Sequence, residues 1–292
     1  MITRERDVAG FQFANPGDAF LVDDGLGLAF AMMGMTPARR ATLPATYTAL
    51  TLKNGVPIGY VQTEVLGRHG ALSFNTFEAF RGAETAWIIA RFIAAAHQLF
   101  GCTTFSVEPY QLGAGNDEGI DSGAWWFYQR LGFRSRAVQA RRIAARELAR
   151  RAANARYRSP PRTLRALARW HMFYSLDQRD KAQLPRIHGW LAAATDATRR
   201  YGQRTPAARR DATVADAMTR LGRQKPPRLT ASQRMMLGRW APLALALTAQ
   251  GRWNSVDRGR LLRLILAKAG RNERGFQQQL LRHTRLRALL DC

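Results

Sequence analysis

Cysteine is scarce in this sequence, and long apolar runs are missing. The two cysteines, Cys102 and Cys292, exclude a disulfide framework and form no spacing typical of zinc ligands. No run reaches 18 apolar residues, since residues 241–249 contain Pro242 and follow Arg239. The first residues carry both charge signs and lack the apolar core of a signal peptide. We therefore expect a cytoplasmic protein with no metal site and no membrane span.

Acidic residues become scarce beyond residue 134. Residues 1–134 hold ten basic and twelve acidic residues, whereas residues 135–292 hold 35 basic and nine acidic ones. Arginine supplies 41 of the 45 basic residues, a usage typical of GC-rich coding. The net charge of +26 in the second part would repel itself unless an anion is nearby. Nucleic acid or a ribonucleoprotein, an anionic membrane or acidic protein, and a plain basic helical bundle are all open explanations.

The second part of the chain lacks strand signals and any fixed-period repeat, but caps and breakers delimit helices. We predict helices over residues 137–156, 163–176, 184–201, 205–221, 230–250 and 255–290, the last broken at Gly270. Ser159-Pro160-Pro161 is the predicted hinge. The expected organisation is a sheet domain over 1–134, a helical connector and hinge over 135–161, and a basic all-helical domain over 162–292.

The first part of the chain alternates strand and helix signals. Asn54-Gly55 predicts a hairpin between strands 47–53 and 56–65, whereas residues 21–37 show no clean period. Strands are also predicted over 71–80 and 103–108, and a helix ending at Gly101 lies between them. Because a helical crossover joins them, these two strands should be parallel. An aromatic helix over 124–131 follows, capped by Asp121 or Ser122. The fold class is therefore α+β.

These residues resemble the GNAT acyltransferase superfamily. Asn116, Ala124 and the run from Tyr128 to Phe133 look like its motif N…A…Y-x-[KR]-L-G-F. Residues 81–86 stand where that superfamily has [QR]-x-x-G-x-[GA]. Arg81 and Ala86 fit, but Glu84 occupies the central glycine position, and Gly82 lies two places earlier. The stretch 25–135 also resembles a set of uncharacterised bacterial proteins through the words F-E-x-F-R-G-x-E, P-Y-Q-L-G and S-G-A-W-W-F-Y.

The resemblance implies a mixed sheet with flanking helices and an acyl-CoA substrate bound between strands. Backbone N–H groups at a helix start would hold the diphosphate, which only small residues allow to approach. The implied acyl-CoA-binding residues are Arg81, Gly82, Ala83, Glu84, Thr85, Ala86, Val107 and Asn116. In this picture the N–H of Val107 polarises the thioester carbonyl, Tyr128 protonates the leaving thiolate, and Glu78 is the base for the amine.

Each of these roles has a structural alternative. Tyr128 belongs to a run of aromatic residues that could be pure core, and Glu78 could be a solvated carboxylate. Glu84 would repel a diphosphate unless its side chain turns away or pairs with Arg81. A carboxylate in a first turn also suits the helix dipole. The alternative function is therefore a non-catalytic GNAT-like scaffold whose basic residues 162–292 bind nucleic acid or a ribonucleoprotein.

Overall fold

The computed structural model describes residues 5–82, 84–177, 184–223 and 228–291. An open sheet of eight strands forms the centre of its first part. The strands are β1 (Ala14–Gly25), β2 (Leu28–Met35), β3 (Ala45–Lys53), β4 (Val56–Leu66), β5 (His69–Thr76), β6 (Thr104–Val107), β7 (Arg134–Ser135) and β8 (Met172–Ser175). Their spatial order is β1-β2-β3-β4-β5-β6-β8-β7. The α+β class is confirmed.

The first five strands form an antiparallel meander, and β5 and β6 are parallel. The Asn54-Gly55 hairpin and the parallel pairing were both predicted, and both are confirmed. Residues 21–37, where the sequence shows no clear pattern, lie mostly in β1 and β2. These strands turn through Gly25, Leu26 and Gly27, all with positive φ.

Helices flank the sheet and make up most of the second part. They are α1 (Glu5–Gln12), α2 (Thr85–Phe100), α3 (Pro109–Leu112), α4 (Asp117–Asp121), α5 (Ala124–Arg130), α6 (Val138–Ala153), α7 (Pro161–Leu167), α8 (Ile187–Ala197), α9 (Pro206–Arg220), α10 (Ala231–Ala249), α11 (Ser255–Ala267), α12 (Arg274–Arg282) and α13 (Thr284–Leu290). The predicted helices over 205–221 and 230–250 are confirmed, and Thr230 with Gln233 forms a full capping box on α10. Among the described residues, no helix is both long and apolar enough to cross a membrane.

Three local predictions are wrong. Strand β5 ends at Thr76, and Glu78–Phe80 is a 3-10 turn in which Phe80 N–H bonds to Phe77 O at 2.8 Å. Phe77 and Phe80 are three residues apart, which is one turn of a 3-10 helix. The N-cap of α5 is Gly123 with φ 67°, and neither Asp121 nor Ser122 caps that helix.

The third wrong prediction concerns residues 163–176, which do not form one helix. Helix α7 ends at Leu167, and β8 enters the sheet between β6 and β7. The segment from residue 162 onward is therefore not entirely helical. A four-residue strand is too short to show a period in sequence, and its hydrogen bonds come from both neighbouring strands.

Two hydrophobic clusters occupy the two parts. The first lies between the sheet and α2 and includes Phe92, Phe105 and Trp125. The second is centred on α10, where Trp240 and Leu243 are nearly inaccessible, and it also includes sheet-side residues such as Leu66. Tryptophans 240 and 253, each preceded by arginine, are both core residues.

Buried charges join the helical part to the sheet part. Lys268 and Glu273 form an ion pair with fully buried side chains, and Glu273 also lies 3.7 Å from Arg40. The Arg40 guanidinium donates to the carbonyls of Lys268 at 2.8 Å and Gly270 at 2.6 Å. Burial lowers the pKa of Lys268 and raises that of Glu273, and their mutual attraction opposes both effects. Buried Asp18 accepts a hydrogen bond from Glu273 N–H, so each charge faces an opposite charge or a hydrogen-bond partner.

His69 makes the folded state sensitive to acid. Its Nε2 lies 2.9 Å from Ser106 Oγ and its Nδ1 3.2 Å from Thr104 Oγ1. Burial lowers its pKa to about 4, and nearby His171 acts in the same direction. The folded-state pKa is therefore below the unfolded value, so this stability is complete above about pH 6.5 and is lost as the pH falls toward 4.

We expect the free energy of unfolding to fall by up to about 1.4 kcal/mol per pH unit in that window because of His69. Urea titrations at several pH values would measure it. His69→Gln should flatten the dependence, whereas replacing the exposed His188 by glutamine should leave it unchanged. Equal slopes for the native protein and His69→Gln would contradict the assignment.

Candidate functional site

A cleft of about 510 Å³ opens where two parallel strands part. β5 and β6 are paired only from His69 to Leu72 along β5, and β5 then continues to Thr76 beside β4 alone. Beyond Val107 the chain leaves the sheet, because Pro109 starts α3. The free end of β5, with Phe74 and Thr76, forms one wall of the cleft. The volume is in the range of small-molecule sites.

The opposite wall consists of short helices held in a tight arrangement. Gly113 ends α3 with φ 115°, and a Cβ there would lie 2.4 Å from Ile120 Cδ1, so only glycine fits. Asn116 caps α4, accepting from Gly119 N–H at 3.3 Å, and its Nδ2 donates to Tyr110 O at 3.1 Å. Asn116, Gly119 and Tyr110 all line the cleft.

The third wall is the turn before α2. Arg81, Gly82 and Thr85 line the cleft, and Thr85 is the first residue of this 16-residue helix. The side chain of the N-cap residue Glu84 makes no capping hydrogen bond, and the Thr85 N–H donates to Gly82 O at 3.3 Å. Arg81 is held across the cleft by Glu118 at 2.5 Å and donates from Nε to Thr76 O at 3.2 Å. A Cβ on Gly82 would meet nothing within 4 Å.

The side chain of Glu84 turns away from the cleft. Its Oε1 lies 3.6 Å from Lys53 Nζ, the side chain is 64% exposed, and the residue does not line the cleft. Lys53 also lies over the Trp87 ring at 4.8 Å. The Glu84 carboxylate would not repel a bound anion if its side chain turned away or paired with Arg81. The structure shows the first arrangement, because Arg81 pairs with Glu118.

Tyr128 lines the cleft and carries a buried hydroxyl. The residue is 2% exposed, lines the cleft, and packs edge-on against Phe74 and Phe133. No described residue forms a hydrogen bond with its hydroxyl. Burial raises the pKa of Tyr128, so the phenol keeps its proton at neutral pH. The aromatic side chains of α5 are therefore part of the core. A role in the core alone, however, does not explain a buried hydroxyl that has no hydrogen-bond partner among the described residues.

The structure brings only part of the predicted set together. Arg81, Gly82, Thr85, Asn116 and Tyr128 line the cleft. Four other predicted residues lie elsewhere, and Ala83 is outside the described residues. Glu78 is exposed in the 3-10 turn, Glu84 faces Lys53, Val107 is fully buried at the end of β6, and Ala86 is half-buried in the first turn of α2.

Several residues that line the cleft were missed by sequence reasoning. They are Phe74, Asn75, Thr76, Tyr110, Gln111, Glu118, Gly119, Ser122, Ala124 and Phe127. Ala124 belongs to the motif that resembles GNAT enzymes, and Tyr110, Gln111, Ser122 and Phe127 belong to the words shared with bacterial proteins, but neither resemblance assigned them to a site. Short helices such as α3 and α4 leave no period to detect.

Comparison of the chain with known protein families, with curated proteins and with solved structures finds no match. Within the described ranges, no group of three or more His, Cys, Asp or Glu side chains could hold a metal ion.

Proposed function

We propose that the protein is an N-acyltransferase that moves an acyl group from acyl-CoA to an amine. The observation that carries the proposal is the cleft, because the start of α2 and Tyr128, whose buried hydroxyl has no partner among the described residues, both line it. The proposal is also supported by the mixed sheet and by the parallel strands β5 and β6, which separate at the cleft. A further support is the motif ending in Gly132-Phe133, which resembles that of GNAT enzymes. Because the Glu84 side chain points away from the cleft, its carboxylate does not repel an anionic ligand there.

In this proposal the diphosphate of acyl-CoA lies beside Gly82 at the start of α2, where the helix dipole favours negative charge. The thioester extends along the free end of β5 toward Tyr128. The amine nitrogen attacks the carbonyl carbon, the carbon–sulfur bond breaks, and the thiolate takes the Tyr128 proton. Glu78 lies outside the cleft wall, so the proton released by the amine reaches it through water.

Binding of acetyl-CoA to the full chain is the direct test. A ligand that binds only the folded state stabilises it by about 2.7 kcal/mol at 100 times its dissociation constant. We expect a rise in Tm with acetyl-CoA and a calorimetric binding signal. If neither appears, the acyltransferase proposal fails, and the non-catalytic scaffold becomes the better explanation of the sheet domain.

The wall of the cleft predicts a large loss of affinity at one position and little change at a position close to it in the chain. Gly82→Glu places a carboxylate into open space beside the proposed diphosphate, so acetyl-CoA affinity should fall by about tenfold or more. Glu84→Gln removes a charge that already faces Lys53, so affinity should change by less than about threefold. Isothermal titration calorimetry on both variants gives the comparison. Equal losses would mean that Gly82 does not face the ligand.

A further inference from the structure

The densest positive charge of the molecule is on a segment that belongs neither to the cleft nor to the helical bundle. Residues 134–169 contain twelve arginines and one acid, Glu147. Glu147 is buried and bonds to Arg150 at 3.0 Å and to the Tyr157 hydroxyl at 3.0 Å. The solvent-facing side of this segment therefore carries almost only positive charge.

Helices α6 and α7 pack against each other, and exposed arginines lie on both helices and on the chain beside them, from residue 136 to residue 165. We call this region the α6–α7 surface. Its exposed arginines are Arg136, Arg141, Arg142, Arg146, Arg150, Arg156, Arg158, Arg162 and Arg165. Arg150 pairs with Glu147 and Arg165 with Asp117 at 3.1 Å. Among the described residues, Arg141, Arg142 and Arg146 have no ion pair.

Three arginines of the helical bundle donate to backbone carbonyls instead. Arg239 donates to Ala38 O at 2.8 Å, Arg271 to Gly17 O at 3.2 Å and Arg285 to Gln250 O at 3.1 Å. Such contacts hold loops and helices together and occupy the guanidinium donors. The free donors of α6 need another explanation, because like charges four residues apart destabilise a helix.

The inner face of α6 is already occupied. Ala140 is fully buried, and Ile143 and Ala144 pack against the core of the sheet part. A helix that binds a membrane surface must bury a continuous apolar face in lipid, whereas the exposed large apolar residues of α6 are Val138 and Leu148, ten residues apart. The outward row Arg142, Arg146 and Arg150 repeats at four residues, about 6 Å along the helix. A regular row of guanidinium groups suits a partner with repeated phosphates.

We infer that the α6–α7 surface binds the phosphate backbone of a nucleic acid, independently of acyl transfer at the cleft. Contacts to phosphates fix position without reading bases, so binding should depend weakly on sequence and strongly on salt. Single-stranded RNA and duplex DNA offer the same phosphate chemistry, and the measurement separates them.

Fluorescence anisotropy with labelled single-stranded RNA and labelled duplex DNA, between about 50 and 200 mM salt, measures the binding by the full chain. Replacing Arg141, Arg142 and Arg146 together by glutamine should reduce the slope of log K against log salt by about 3. Affinity near 100 mM salt should fall on the order of 100-fold. The same three positions replaced by lysine should keep most of the binding, which shows that charge and not folding is responsible.

A matched control changes the same charge on the helical bundle. Arg204, Arg220 and Arg223 are exposed there, and their joint replacement by glutamine should leave the slope nearly unchanged. Equal loss in both triple variants would overturn the assignment to α6–α7, as would the absence of salt-dependent binding by the native chain. Stronger binding to polyglutamate, or to vesicles with roughly one third phosphatidylserine, than to either nucleic acid would overturn the choice of partner.

Discussion

Replacing Tyr128 by phenylalanine should slow the proposed acyl transfer by about 10² to 10⁴-fold, the usual contribution of a positioned general acid. Acetyl-CoA binding should change little, because the aromatic ring and its contacts with Phe74 and Phe133 stay. The free energy of unfolding should stay the same or rise slightly, since the lost hydroxyl is buried without a partner among the described residues. Release of the CoA thiol with a panel of amines measures the rate.

Tyr174→Phe is the control for this experiment. Tyr174 packs against the same Phe133, with ring centroids 5.3 Å apart, but does not line the cleft. Its loss should leave the rate unchanged. Equal rates for the native protein and Tyr128→Phe would exclude Tyr128 as the acid, while unchanged acetyl-CoA binding would still support a CoA site.

Removing one member of the buried ion pair should cost far more stability than any surface change. Lys268→Met leaves the Glu273 carboxylate buried with Arg40 as its remaining cation, at 3.7 Å. Breaking a buried pair from one side typically destabilises a protein by about 3–5 kcal/mol. Urea denaturation should show this loss. Because Arg40 and Lys268 connect the two parts of the chain, the transition should also become less cooperative.

The double variant Lys268→Met with Glu273→Leu tests whether the losses of stability at the two positions are coupled. It removes one charge of each sign and leaves Arg40 and Asp18, so the loss should be clearly smaller than the sum of the two single losses. The exposed pair of Arg199 and Asp196 is the control, and Arg199→Gln should be hard to distinguish from the native protein. Additive losses at Lys268 and Glu273 would show that the two side chains are not energetically coupled.

Local signals in the sequence determined much of the first part of the fold. Asn54 and Gly55 adopt positive φ, so the hairpin could be read from residue types alone. The apolar spacing of α2, its end at Gly101 with φ 74°, and the crossover to β6 followed from period, cap and handedness. The change in charge near residue 134 was also visible without coordinates. Each of these features depends on residues close together in the chain.

Tertiary structure alone decided the rest, because it depends on partners far along the chain. β8 is a strand only because β6 and β7 supply hydrogen bonds to both of its edges. Glu84 faces Lys53, a residue of β3 that is distant in sequence, and turns away from the cleft. The cleft exists because β5 extends beyond its pairing with β6, and only the register shows which end of β5 is left unpaired on that side. Sequence could thus name Tyr128, Gly82 and the turn before α2, whereas only packing could show which of the predicted side chains share a cavity.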